Sequence, residues 1–127
     1  MPQVAGISEA EWDVIKVLWD AGPSTAGQIV AGVAGTSRRW RPRTIKTLLA
    51  RLVKKGAVRR EVDADGRHVY RAALTRQAAV RRESKSFLAR VFNGALVPAV
   101  ATMLRESDLS PADLQQLKQI LENEARR

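Results

Sequence analysis

The 127-residue chain has no cysteine and a single histidine, His68. The first absence removes thiolate metal sites, disulfide frameworks and thiol nucleophiles. The second removes any multi-histidine metal centre or histidine relay, so we expect no metal ligands, no cofactor and no catalytic residues. Tyrosine occurs once and phenylalanine twice, few rings for the stacking by which single-stranded RNA is usually gripped. No apolar run approaches the ~20 residues that cross a bilayer. The opening MPQVAGISEAEW is acidic and polar, which predicts no signal peptide and a cytoplasmic protein.

Acid is scarce in the middle of the chain. Residues 1–37 hold one Lys and four acids, net −3. Residues 38–90 hold thirteen Arg and four Lys against four acids, net +13, and residues 91–127 carry net −1. The overall +9 is therefore concentrated in one segment. Such an excess attracts a polyanion, nucleic acid first among them. An anionic membrane surface suits it less, because the basic segment mixes strand and turn patterns with helix.

Local patterns predict the elements. Ser8-Glu9-Ala10-Glu11 is a capping box that opens a helix whose expected apolar set is Trp12, Ile15, Val17, Leu18 and Trp19, with Trp12 and Trp19 in the core. Gly22-Pro23 ends it. Thr25-Ala26-Gly27-Gln28 opens a second helix with Ala26, Ile29, Val30 and Val33 on one face, followed by a basic loop from Ala34 to Arg41. Pro42 suits the first turn of a third helix, which buries Ile45, Leu48, Leu49, Leu52 and Val53 and stops at Gly56. Val58, Arg60 and Val62 alternate, Asp63-Ala64-Asp65-Gly66 is a turn, and Arg67–Leu74 forms the second arm of a β-hairpin. Thr75 caps a fourth helix that ends at Asn93-Gly94. Residues 95–105 form a fifth with Pro98 in its first turn, and Ser110-Pro111-Ala112-Asp113 starts a sixth.

Three helices and a hairpin predict a winged helix-turn-helix module over residues 1–74, followed by a helical dimerisation region over 75–127. The fold class is mainly α with a small β-hairpin. The second helix of such a pair enters the major groove of duplex DNA N-terminus first. The base-reading candidates are therefore Arg43, Thr44, Lys46 and Thr47 at the exposed start of the third helix, with Ala50 small enough for close approach. Arg51 and Lys54 are candidates for phosphate, and Arg67 beside the hairpin turn is the wing candidate. Trp40 reads as a packing residue seating the third helix, His68 as a plain strand residue, and Arg76, Arg81 and Arg82 as a solvated helix face. Thr44 and Thr47 have the alternative of bonding the helix backbone. The stripe Leu114, Leu117, Ile120 and Leu121 lacks partners within so short a tail, which points to a second copy of the chain.

The segments ISEAEWDVIKVLW, WRPRTIKTLLARLVKKGAV, Gly66-Arg67, KSFLARVFNGAL and LSPADLQQLKQIL carry a resemblance to the BlaI/MecI/CopY penicillinase-repressor family, spanning residues 7–121. The resemblance implies a homodimeric winged-helix repressor on double-stranded operator dyads, with Arg41 and Pro42 at the DNA-facing start of the third helix. It implies a dimer built by the C-terminal helices, Phe87, Leu88 and Val91 included. Three departures stand out. The cysteine cluster of the copper-responsive branch is missing, and Arg41 stands where serine is common. The Asn-Phe bond cut in members induced by proteolysis, the work of a membrane metalloprotease-type sensor, falls at Thr102-Met103 here. The resemblance is therefore not extended to β-lactam sensing. Two other classes remain open on the residues alone: an RNA- or ribosome-associated winged helix, and a winged-helix regulator that senses a small molecule.

Overall fold

The computed structural model describes residues 6–37 and 39–127. Met1–Ala5, the start of the stretch read for a signal peptide, and Arg38 of the basic loop lie outside the described residues. The chain divides into two compact units, residues 1–83 and 84–127.

In the first unit, α1 (Glu9–Ala21) begins with the capping box complete. The Glu11 N–H donates to Ser8 Oγ at 3.2 Å and the Ser8 N–H to Glu11 Oε1 at 2.8 Å. Gly22, at φ 81°, ends the helix and donates its N–H to Leu18 O. A second capping box, Thr25 with Gln28, opens α2 (Ala26–Thr36). The loop expected from Ala34 starts later: Gly35 weakens the helix by about 1 kcal/mol relative to alanine without ending it, and the chain turns extended only at Ser37. The next helix, α3 (Pro42–Lys54), has Pro42 in its first turn and is followed by Gly56 at φ 84°.

The hairpin pairs β1 (Val58–Val62) with β2 (His68–Ala72), Val58 opposite Ala72 and Val62 opposite His68. The second arm is shorter than the expected Arg67–Leu74. At one end Asp63 and Arg67 close the turn: the Asp63 N–H donates to Arg67 O, and the Arg67 N–H to Asp63 Oδ1. At the other, the N–H groups of Ala73 and Leu74 both turn to Ala57 O. Ser24 and Tyr70 exchange backbone hydrogen bonds of 3.0 and 2.8 Å, adding a one-residue third strand that ties the hairpin to the α1–α2 connection.

The core lies between α1, α2, α3 and the base of the hairpin, with Ile15, Ile29, Ile45, Leu52 and Val58 almost fully buried. One expectation about its membership changes. Trp12 is only half-buried and packs edge-to-face on Trp19, which itself flanks the core; Ile15, Val17 and Leu18 are buried as expected, joined by Glu11 and Val14. Val62 is 62% exposed despite its alternation, because the hairpin projects past the core beyond Val58.

Thr75 caps α4 (Arg76–Phe92), which runs from the first unit into the second. The second unit continues with α5 (Leu96–Glu106) and α6 (Pro111–Ala125). Asn93 and Gly94, both at positive φ, end α4. Pro98 sits in the first turn of α5, and Ser110 and Asp113 complete the capping box of α6. No residue of α6 is buried. Among the described residues, no single helix is long and apolar enough to cross a membrane.

Candidate nucleic-acid interface

Helix α3 divides cleanly between two environments. Ile45, Leu48, Leu49 and Leu52 are buried, while Arg43, Thr44, Lys46, Thr47, Ala50, Arg51 and Lys54 are exposed. Arg43, Lys46, Thr47 and Ala50 line a shallow open depression of about 520 Å³, with the small Ala50 leaving room for it. No acid occurs between Arg41 and Lys55, so the face is wholly cationic. The Thr47 hydroxyl donates to Arg43 O at 3.1 Å, the backbone bond named as its alternative, and the residue stays exposed. Arg41 is exposed at the N-cap and makes no side-chain cap bond, so the first turn of α3 keeps amide N–H groups available to an anion.

Tertiary contacts hold both ends of this helix. Trp40 seats the entry as expected: its indole N–H donates to Asp13 Oδ2 at 2.7 Å, and Arg39 lies 4.9 Å over its ring while pairing with Glu9 at 3.6 Å. At the exit, Lys55 Nζ donates to Glu11 Oε1 at 2.5 Å and to Gly6 O at 2.8 Å. Glu11 is nearly fully buried, and its second carboxylate oxygen has no hydrogen-bond partner among the described residues. Burial pushes the Glu11 carboxyl up, but the hydrogen bonds from Lys55 and Ser8 outweigh it and hold the group below the usual carboxylate value. The capping-box motif made Glu11 legible as a cap. Its role as a buried anion was not, because Lys55 lies 44 residues away.

The wing carries a different balance. Arg67 is exposed at the hairpin turn but already engaged, 3.4 Å from Asp63 and 3.3 Å from Asp65. The backbone N–H of Arg67, aided by that of Asp65, holds the Asp63 carboxyl below its ordinary range. Arg59 and Arg60 on β1, neither of them among the expected DNA contacts, are exposed and have no carboxylate within ion-pair distance among the described residues. Arg59 stands directly opposite Arg71, whose own partner is Glu61 at 3.5 Å. Arg76 is exposed on the helix face, as expected, and there pairs with Asp20 and lies 5.5 Å over the Trp19 ring. The Trp19 indole N–H in turn donates to Leu74 O at 2.9 Å.

In the second unit, Phe87 and Leu88 are half-buried, and Phe87 packs edge-to-face on Phe92 at 5.8 Å. Val91, Leu114, Ile120 and Leu121 are exposed, the last at 65%, and Leu117 is half-buried. Thr102 and Met103 lie exposed within α5.

The family model described as penicillinase repressor matches residues 7–123, nearly the whole of both units. The chain belongs to the penicillinase repressor family. Members of this family are DNA-binding transcriptional repressors, and so is this one. It is 35% identical to the penicillinase repressor of Bacillus licheniformis over 128 residues, covering 100% of this chain and 98% of that protein. It is 32% identical to the methicillin resistance regulatory protein MecI of Mammaliicoccus sciuri, over 91% of this chain and 92% of that one. The solution structure of monomeric Bacillus licheniformis BlaI in complex with the blaP half-operator superposes with a TM-score of 0.53 at 32% identity. That superposition covers 61% of this repressor and 93% of the BlaI chain. The winged-helix fold of the N-terminal unit is thereby established.

Proposed function

We propose that this repressor acts as a homodimer on a palindromic operator, with α3 of each copy in one major groove. The observation that carries the reading is the acid-free exposed face of α3. Arg43, Thr44, Lys46 and Thr47 lie near its N-terminus, where an inserted helix meets base edges, and Arg51 and Lys54 lie further along, where phosphates run. Arg41 and Pro42 begin the helix at the DNA, and Arg67 contacts the backbone or minor groove from the wing after yielding its two carboxylates. The likeness to a BlaI chain solved on a half-operator supports the same use of the fold.

The region 75–127 forms the dimer in this reading. Phe87, Leu88 and Val91 of α4 and Leu114, Leu117, Ile120 and Leu121 of α6 supply apolar surface that a single copy leaves largely uncovered. No cofactor and no enzymatic step is needed, and the site of action is the cytoplasm, where the DNA lies. Induction proceeds by proteolysis at the exposed Thr102–Met103 stretch, performed by a membrane metalloprotease-type sensor. Cleavage there separates α6 from the rest of the dimer region and lowers operator affinity.

Footprinting the DNA upstream of the repressor's own gene tests the central claim. The expected result is a protected dyad whose half-sites are about one helical turn, or a multiple, apart. A uniform pattern with no protected dyad at moderate salt would refute it.

A further inference from the structure

Three carboxylates on α1 reach both ends of α3. At about 100° per residue, Glu9 and Asp13 lie about 40° apart on one flank of α1, and Glu11 points to the opposite flank. The first flank meets the chain entering α3, through Trp40–Asp13 at 2.7 Å and Arg39–Glu9 at 3.6 Å. The second meets the chain leaving it, through Lys55–Glu11. The entry matters more for reading bases. Arg41 provides no side-chain cap bond. Pro42 fixes its own φ and the Ile45 N–H closes the first turn on Arg41 O, but the approach of the chain to that turn rests on the tertiary contact made by Trp40, two residues before Pro42.

We propose that the Asp13–Trp40 hydrogen bond is a positioning contact for operator discrimination. Asp13 acts through Trp40 on where Arg43 and Thr44 meet base edges, and does not itself touch DNA. The inference rests on the operator reading above. Base-edge hydrogen bonds weaken steeply with misalignment, whereas long Lys and Arg side chains follow a displaced phosphate. Loss of the anchor therefore lowers sequence preference more than general DNA affinity. The charge of Asp13 acts the other way, since a carboxylate near the DNA-facing end repels phosphate. Hydrogen bond and charge are thus separable by substitution.

The test uses the full chain as wild type, Asp13→Ala, Asp13→Asn and Trp40→Phe. The probes are the dyad duplex from its own upstream region and a scrambled duplex of equal composition, each across a salt series. Asp13→Ala and Trp40→Phe are expected to reduce the dyad-to-scrambled affinity ratio about tenfold. Scrambled-duplex affinity and the salt slope should stay within about twofold. Asp13→Asn keeps an oxygen that accepts from the indole and should hold the ratio within about twofold of wild type. Should Asp13→Ala fail to fold, Trp40→Phe and Asp13→Asn decide. The inference is overturned if the Ala and Phe variants keep the wild-type ratio, if both duplexes lose affinity in parallel, or if Asp13→Asn loses preference as Asp13→Ala does. A wild-type chain without preference for the dyad overturns the operator reading and this inference together. Wild-type preference that Asp13→Ala retains overturns the inference alone.

Discussion

Replacing Lys55 by methionine should destabilise the N-terminal unit in a way that acid relieves. Lys55 is the cationic partner of Glu11, whose side chain is 1% exposed against 26% for the lysine. Removing the cation leaves a buried carboxylate that already has one unpartnered oxygen. Breaking a buried pair on one side costs about 3–5 kcal/mol. The partial exposure of Lys55 lets water approach and favours the lower end, about 3 kcal/mol. With a urea dependence of about 1.5 kcal/mol/M, that moves the unfolding midpoint down by about 2 M. The pH dependence is the sharper test. In the wild type the folded Glu11 pKa is depressed, so its stabilisation is present above the unfolded value of about 4.3 and is lost as pH falls through the folded value. In Lys55→Met the lowering by the Lys55 hydrogen bond and charge is gone while the upward push of burial stays, so the folded pKa rises relative to the wild type. The penalty is then full at pH 7 and shrinks as the carboxyl takes up a proton. Urea titrations at pH 7 and near pH 4 measure both. A gap between variant and wild type that stays constant over that range would refute the assignment of Glu11 as a buried anion dependent on Lys55.

Three further outcomes are expected. Thr47→Ala should change base preference, whereas Lys54→Ala should weaken all duplexes alike and reduce the salt slope by about 1; equal effects of the two on a panel of operator variants would contradict the division of α3 into reading and gripping ends. On the homodimer proposed above, Ile120→Glu on the exposed face of α6 should leave a monomer in sedimentation equilibrium and lower dyad affinity about a hundredfold, the loss of linked half-sites; a wild-type monomer would refute that proposal. Gly32→Ala places a Cβ 2.6 Å from Val17 Cγ1. Because Val17 is stiff at χ1 in its helix, the clash should cost about 1–3 kcal/mol in urea unfolding despite the better helix propensity of alanine.

Most elements of this repressor were legible because their signals are local. Capping boxes at Ser8, Thr25 and Ser110, prolines at 42 and 111, and positive-φ glycines at 22, 56, 66 and 94 act within a few residues of themselves. The amphipathic split of α3 followed from spacing alone, and Ile45, Leu48, Leu49 and Leu52 occupy the buried side. What depends on a distant neighbour was not legible. Trp12 lies on the edge of the stripe that α1 buries rather than within it, and Asp20 and Trp19, the partners of the exposed Arg76, lie on another helix.

The order of helices and hairpin, the net +13 of the middle segment and the acid-free face of α3 follow from residue order alone. Helical period, capping chemistry and charge composition need no knowledge of what lies across the core. How α3 is held depends instead on contacts between residues far apart in the chain. Asp13 and Trp40 are 27 residues apart, Glu11 and Lys55 44, and Ser24 and Tyr70 meet through backbone groups that every residue carries. No short-range pattern encodes such pairs, because they exist only once the core has packed and brought the surfaces of α1 against the two ends of α3.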